Sequence, residues 1–270
     1  MSRQNKIAFL GGGNMTEALV AGLLKADLAA PDRLWATDVL PERLSHLREE
    51  YKIRTSDRNA DAARWADILI LSVEPQILDG VLHDIARRLG SNTLVISVAA
   101  GYPMARVAAH LKKPKLRVVR GMPNTPSSVR AGVAAVCFSR FVTPGERQTA
   151  RQIFESIGLV VEIDERLMDA VTGLSGSGPA YLYAIIEALA DGGVNVGLPR
   201  QTAELLATQT LLGTAQLLIE SGAHPASLKD RVASPGGTTM AGLQQLEAGR
   251  FRAALISAVE TATRRSQELG

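Results

Sequence analysis

The feature that most constrains this chain is a short apolar run, Lys6 to Leu10, that stops at Gly11-Gly12-Gly13 and resumes as a helical pattern from Asn14 to Lys25. A strand that enters a helix through glycines has few structural solutions. Gly11 allows a tight turn, and Gly13 allows backbone to approach a pyrophosphate. The helix opening near Asn14 offers free N–H groups to phosphates. The fingerprint usually closes on Gly or Ala, and here Thr16 stands in that place. The reading is a dinucleotide loop; the plainer alternative is a glycine-rich structural turn.

The rest of the first half repeats the alternation. Strands are predicted over Leu34 to Asp38, Ile53-Arg54, Ile68 to Val73, Thr93 to Val98, Leu116 to Arg120, Val133 to Ser139 and Leu159 to Glu162. Helical patterns lie between them: Pro41 to Glu50, Ala60 to Trp65, Pro75 to about Leu89 and Pro103 to His110. Another runs from Pro144 to Ile157, with Thr143 as its cap. Continuous apolar strands separated by helices describe a parallel sheet covered on both faces. After Asp164 the texture changes. Helical patterns run over 165–172, 179–192, 199–221, 224–231, 239–247 and 250–268, and no convincing strand remains. The expectation is an α/β Rossmann-like doubly wound N-terminal domain over 1–164 and an all-α C-terminal domain over 165–270. Ala203 to Ile219 is apolar over much of its circumference, and such a helix must be buried. A small helical domain has little interior to bury it, so a second copy of the chain is the simplest cover, with a compact monomer as the alternative.

Composition excludes several classes. Hydrophobic residues at 46% and charged residues at 21% describe an ordinary globular chain, not a disordered one. A net charge of +3 without a long basic run argues against nucleic acid, and 4% aromatics against a stacking platform. The polar start Met1 to Lys6 is short, and the apolar stretch after it breaks at Gly11. Neither a secretory leader nor a spanning helix is expected, so a cytoplasmic protein without membrane partners is the default. Cys137, the sole cysteine, sits in an apolar run and reads as a buried filler. No metal site is expected. His46, His83, His110 and His224 all look peripheral.

Further motifs gather where strands end, which is where doubly wound sheets bind ligands. Asp38 closes the second strand and suits an adenine-side ribose, while Arg33 or Arg43 would instead meet a 2′-phosphate. Asn59, Val73 and Pro75 flank the expected cofactor rim. Strand five ends in Ser97 to Gly101. The segment Arg120-Gly121-Met122-Pro123-Asn124-Thr125-Pro126 ends strand six, stiffened by two prolines with Asn124 at its polar centre. Val171 to Ala180 alternates small polar residues with glycines before a helix. Leu228 to Thr239 is a second donor-rich segment, holding Ser234, Gly237, Thr238 and Thr239. Two such segments fit a small anionic substrate, although the first also reads as a linker.

These residues carry a resemblance. Gly12 to Met15, Met122 to Pro126, Val171 to Tyr181, Gly193 to Arg200 and Lys229 to Thr239 resemble the marker segments of the Δ1-pyrroline-5-carboxylate reductase family, from about Lys6 to Leu269. The resemblance implies an oxidoreductase that uses NADPH or NADH to reduce the C=N bond of L-1-pyrroline-5-carboxylate to L-proline, the final step of proline biosynthesis. It implies cofactor contacts from Gly11, Gly13, Asn14, Met15, Asn59, Val73, Pro75 and Met122, with Met122 at the active-site rim beside Asn124, which would contact the substrate. The substrate carboxylate would rest on the loop of Ser234, Gly237, Thr238 and Thr239, and Thr239 would face the imine nitrogen as the catalytic hydroxyl. It further implies a dimer through the helical domain, often built into larger rings such as a decamer. One departure is Glu74, where the family usually has Lys before Pro75. Reduction of another small cyclic imino acid is the alternative enzyme, and a dinucleotide-sensing protein the alternative outside catalysis.

Overall fold

A computed structural model describes residues 3–270. The polar start expected over residues 1–6 therefore lies partly outside the described residues. Eight strands form one sheet in the order β3-β2-β1-β4-β5-β6-β7-β8. They are β1 (Ile7–Leu10), β2 (Leu34–Thr37), β3 (Arg54–Ser56), β4 (Ile68–Leu71), β5 (Leu94–Ser97), β6 (Val118–Met122), β7 (Gly132–Phe138) and β8 (Gly158–Glu162). The order 3-2-1-4-5-6 is that of a doubly wound dinucleotide fold. Helices α1 (Asn14–Lys25), α2 (Pro41–Tyr51), α3 (Asn59–Trp65), α4 (Pro75–Ile85), α5 (Met104–His110) and α6 (Pro144–Glu155) connect the strands.

The fully parallel sheet expected from sequence needs one correction. β7 runs antiparallel to β6, with Arg120 opposite Cys137, and β8 then pairs parallel to β7. The cause is the connection. Only a 3-10 turn, Thr125–Val129, lies between β6 and β7, whereas a parallel crossover needs a dozen or more residues.

Period-two alternation divides the core. Ile7 and Phe9 point to one face, with Leu19, Leu23, Leu47, Ile153 and Phe154. Ala8 and Leu10 point to the other, with Leu78, Leu82, Ile85 and Val107. In α4 the buried residues Leu78, Leu82 and Ile85 form a single helical stripe. Burying a side chain of this size stabilises by roughly 1.5–3 kcal/mol, so this stripe, rather than helix propensity, holds α4 down. Thr143 caps α6 through a full capping box with Glu146.

The chain divides into two compact units, one running to Ser177 and taking in Thr261–Gly270, the other Gly178–Glu260. The change of texture at Asp164 marks the end of the sheet, since β8 closes at Glu162. The contact boundary falls later because α7 (Met168–Val171) stays with the sheet: Met168 is buried beside Ala135 and Cys137. The second unit contains α8 (Gly178–Asn195), α9 (Arg200–Ser221), α10 (Pro225–Val232), α11 (Thr238–Ala248) and the first half of α12 (Phe251–Leu269). Among the described residues, Ala190, Ala203 and Ala207 are its only buried hydrophobic side chains. Three alanines do not make a core. Leu205, Leu206, Leu212, Leu217 and Ile219 of α9 are all exposed. No helix among the described residues is long and apolar enough to cross a membrane.

Candidate active site

The glycine loop has the geometry of a phosphate cradle. Gly11 has φ +100°, and a Cβ there would stand 2.7 Å from the Ser72 carbonyl oxygen, so β4 excludes any side chain. Gly13 differs. Its backbone is extended, and nothing lies within 4 Å of where its Cβ would be. The protein itself does not demand glycine there, whereas a ligand lying on the loop would. Gly13 caps α1 with no side-chain hydrogen bond, which leaves the first N–H groups of Asn14 and Met15 aimed outward for an anion. These features fit a dinucleotide pyrophosphate.

Thr16, the departure from the fingerprint, has a definite task. It is fully buried, its hydroxyl donates to the Gly11 carbonyl at 2.5 Å, and it shares a 2.6 Å hydrogen bond with Ser72 Oγ. An alanine would pack as closely but would lose this tie between the loop and the end of β4.

At the end of β2, Asp38 Oδ2 accepts from the Gly12 N–H at 2.6 Å and Oδ1 accepts from the Leu40 N–H at 2.9 Å. The structure decides between the two arginines. Arg43 reaches the loop: its Nε donates to the Gly12 carbonyl at 2.9 Å and its guanidinium binds Glu17 at 2.6 Å. Arg33 pairs only loosely with neighbouring Asp32, at 3.8 Å. Glu17 also meets His46 Nε2 at 2.7 Å and accepts from the Tyr51 hydroxyl at 3.2 Å. Burial pushes the Glu17 carboxyl upward, but hydrogen bonds from His46 and Arg43 outweigh this and hold it below its ordinary range. His46 is thus less peripheral than its sequence context indicates. Asn59, at the start of α3, accepts from the Thr37 hydroxyl at 2.5 Å and lines a concavity of about 470 Å³ with Asp57, Arg58 and Asp84. Val73 packs beside Gly11. Pro75 opens α4, and Glu74 before it is exposed and caps no helix N–H.

The rim after β6 is held by side-chain clamps. Asn124 accepts from the Val133 N–H at 3.0 Å and donates to the Ser175 carbonyl at 3.2 Å. Both ends of its amide are used on backbone, so it shapes the rim, with one N–H of the amide left to offer. Met122 lies against Gly176, where any Cβ would collide with its Cε. The donor-rich segment expected as an open loop from Val171 is instead helical. α7 widens into a π-turn over Thr172–Gly176 before Ser177. Wide turns of this kind recur at functional sites. The alternation of glycine and serine hid it, because small polar residues read as a loop.

In the helical unit, Ser234 to Gly237 form the link between α10 and α11, and Gly236 takes φ +69°. Gly237 caps α11 with no side-chain hydrogen bond, so Thr238 and Thr239 occupy its first turn with N–H groups available to a carboxylate. Gly237 has no room for a Cβ because Ser234 fills that space. Gly237 and Met240 also border an apolar concavity of about 920 Å³ that runs to Phe251 and Ile256.

Cys137 is buried as expected, and burial pushes its thiol up to about 12, with Glu165 adding to the rise. A thiol held that way is neither a nucleophile nor an acid at neutral pH.

A doubly wound sheet with an open glycine cradle and a carboxylate at the end of its second strand defines a dinucleotide-binding protein. The family model described as pyrroline-5-carboxylate reductase dimerisation matches residues 165–269, and that described as NADP oxidoreductase, coenzyme F420-dependent, matches 6–101. The pyrroline-5-carboxylate reductase of Synechocystis sp. is 47% identical over 98% of both chains, and that of Methanosarcina acetivorans 44% identical over 98% of both. The crystal structure of Plasmodium falciparum pyrroline carboxylate reductase with NADP bound covers all of both chains, at 32% identity and a TM-score of 0.92. The chain belongs to the pyrroline-5-carboxylate reductase family.

Proposed function

We propose that this protein reduces L-1-pyrroline-5-carboxylate to L-proline with NADPH or NADH. The observation that carries this is 47% identity over 98% of the chain to a reductase of that name, together with a glycine loop that leaves open space at Gly13 where a ligand can lie. The reduced nicotinamide supplies the hydride, and the protein supplies position and electrostatics.

The chain's own residues divide the work. Gly11, Gly13, Asn14 and Met15 hold the pyrophosphate on the start of α1. Asp38 takes the adenine-side ribose, with Asn59 beside it, while Val73 and Pro75 line the nicotinamide side. Met122 and Asn124 form the rim at the reacting end. Ser234, Gly237, Thr238 and Thr239 bind the substrate carboxylate at the uncapped start of α11, where the helix dipole favours an anion. The Thr239 hydroxyl faces the imine nitrogen and donates a hydrogen bond there, which makes the carbon a better hydride acceptor. With no histidine in a substrate motif, the iminium proton arrives with the substrate or from solvent.

The chain self-associates through its helical unit, whose exposed apolar helices fall within the matched dimerisation region. Our reading is a dimer, assembled further into a ring such as a decamer, in the cytoplasm and without nucleic acid or membrane partners.

The test is oxidation of NADH and NADPH, followed at 340 nm, with racemic pyrroline-5-carboxylate and with pyruvate. Turnover of the imine and not of the 2-keto acid is expected. Faster reduction of pyruvate would overturn the reading.

A further inference from the structure

An ion network centred on a buried arginine adjoins the rim described above. Arg120 projects from β6 with its side chain 5% exposed. Its guanidinium contacts Asp169 Oδ1 at 3.4 Å and Glu165 Oε1 at 3.7 Å. Each acid has a second bond. Asp169 Oδ1 accepts from the Ser266 hydroxyl at 2.8 Å, and Ser266 is itself buried near the end of α12. Glu165 Oε1 accepts from the Met104 N–H at 2.7 Å, at the start of α5. One arginine therefore gathers α5, α7 and α12 onto β6.

What this network holds is specific. Two residues beyond Arg120 is Met122, and four beyond is Asn124. Three residues beyond Asp169 the π-turn Thr172–Gly176 begins. These two segments meet at the rim, through the Asn124 amide on the Ser175 carbonyl and through Met122 on Gly176. The Arg120–Asp169 contact lies upstream of both partners and fixes their register like a second fastener on the same seam. Desolvating an arginine is costly, and a hydrophobic pair of equal volume generally holds a fold as well. Stability alone therefore gives little reason for a buried arginine here, and the geometry that it imposes gives a better one.

We propose that Arg120 and Asp169 are positioning residues for imine reduction, with Ser266 steadying Asp169 from α12. The pair sets the distance between the Met122–Asn124 rim and the π-turn, and so the shape of the reacting end. It leaves the glycine cradle at Gly11–Gly13 alone. This rests on the reading of Met122 and Asn124 as active-site rim.

The experiment separates the two ends of the cofactor. Arg120→Lys, Arg120→Met, Asp169→Asn and Ser266→Ala are compared with wild type for NADH Kd by calorimetry, for imine KM and kcat, and for amide exchange over 172–176. We expect kcat/KM for the imine to fall by about tenfold or more in Asp169→Asn and Arg120→Met, with less loss in Arg120→Lys. NADH Kd should stay within about threefold of wild type, and exchange in the π-turn should quicken. Ser266→Ala leaves every charge in place and so remains foldable; a rise in imine KM of about threefold is expected. Unchanged imine kinetics in Ser266→Ala and Arg120→Lys would overturn the proposal, as would an NADH Kd that weakens in step with kcat/KM. A wild type that binds NADH but reduces no imine would overturn the functional reading, and this proposal with it. An active wild type beside unaffected variants overturns the proposal alone.

Discussion

Asp38 Oδ2 accepts the Gly12 N–H at 2.6 Å, which fastens the end of β2 to the middle of the glycine loop. A carboxylate there favours a ribose 2′-hydroxyl and repels a 2′-phosphate. Arg43 is the cation within reach, and it is already bound to Glu17 and to the Gly12 carbonyl. NADH is therefore expected to serve at a kcat/KM comparable to that of NADPH. Asp38→Ser should raise relative NADPH use. A wild-type NADPH preference above about thirtyfold, roughly 2 kcal/mol, would contradict this.

Gly13 provides the sharpest test of the cradle. Nothing in the protein opposes a side chain there, and its extended backbone suits any residue. Gly13→Val should leave Tm within a few degrees of wild type while weakening dinucleotide binding by about tenfold or more. Calorimetric titration with NADH and a thermal melt decide it. A Kd equal to wild type would take the pyrophosphate away from this loop.

Thr239→Ala removes one hydroxyl in the first turn of α11. The expected cost is about tenfold in kcat/KM for the imine, near 1.4 kcal/mol. Steady-state rates of the purified variant check it, and unchanged rates would place Thr239 outside the site.

Leu212, in the middle of α9, is 58% exposed within the single chain. The proposed dimer covers this helix, so light scattering at micromolar concentration should find no 28.7 kDa species. Leu212→Glu should shift the population toward monomer and lower Tm. A monomeric wild type would contradict both statements.

Glu17 predicts an acid limb in stability. Its carboxyl is held below the ordinary value of 4.5. A depressed carboxylate contributes stability above the unfolded pKa and loses it as pH falls through the folded one. Glu17→Gln should therefore melt lower than wild type at neutral pH, and the gap should narrow as pH drops below that ordinary value. A gap that persists unchanged at low pH would mean that Glu17 acts through packing and not charge.

Much of this is legible in the sequence itself. Ile68 to Leu71 and Leu94 to Ser97 announce buried strands because nothing polar interrupts them, and Gly11 to Gly13 announce the loop by their place between strand and helix. The reversal of β7 was less visible, since the only clue was the short link from Pro123 to Ala131. The π-turn is hidden because serine and glycine describe a loop in most settings, and its contacts to Asn124 and Met122 come from residues distant in sequence. The bond from Thr16 to Ser72 and the Arg120 network were hidden for the same reason: pairs far apart in the chain have no periodicity to reveal them.

The return of residues 261–270 to the first unit has a consequence for synthesis. Every strand of the sheet is complete at Glu162, yet Ser266 and Gly270 are what fill the space left by Gly101, and Arg106 closes on the Gly270 carbonyl at 3.0 Å. A ribosome must first add residues 163–260, which takes roughly 5–20 s at ~5–20 residues per second. Throughout that interval a nascent sheet lacks the tail that covers Gly101 and Arg106. It is then open to chaperones and proteases in a way that the finished enzyme is not.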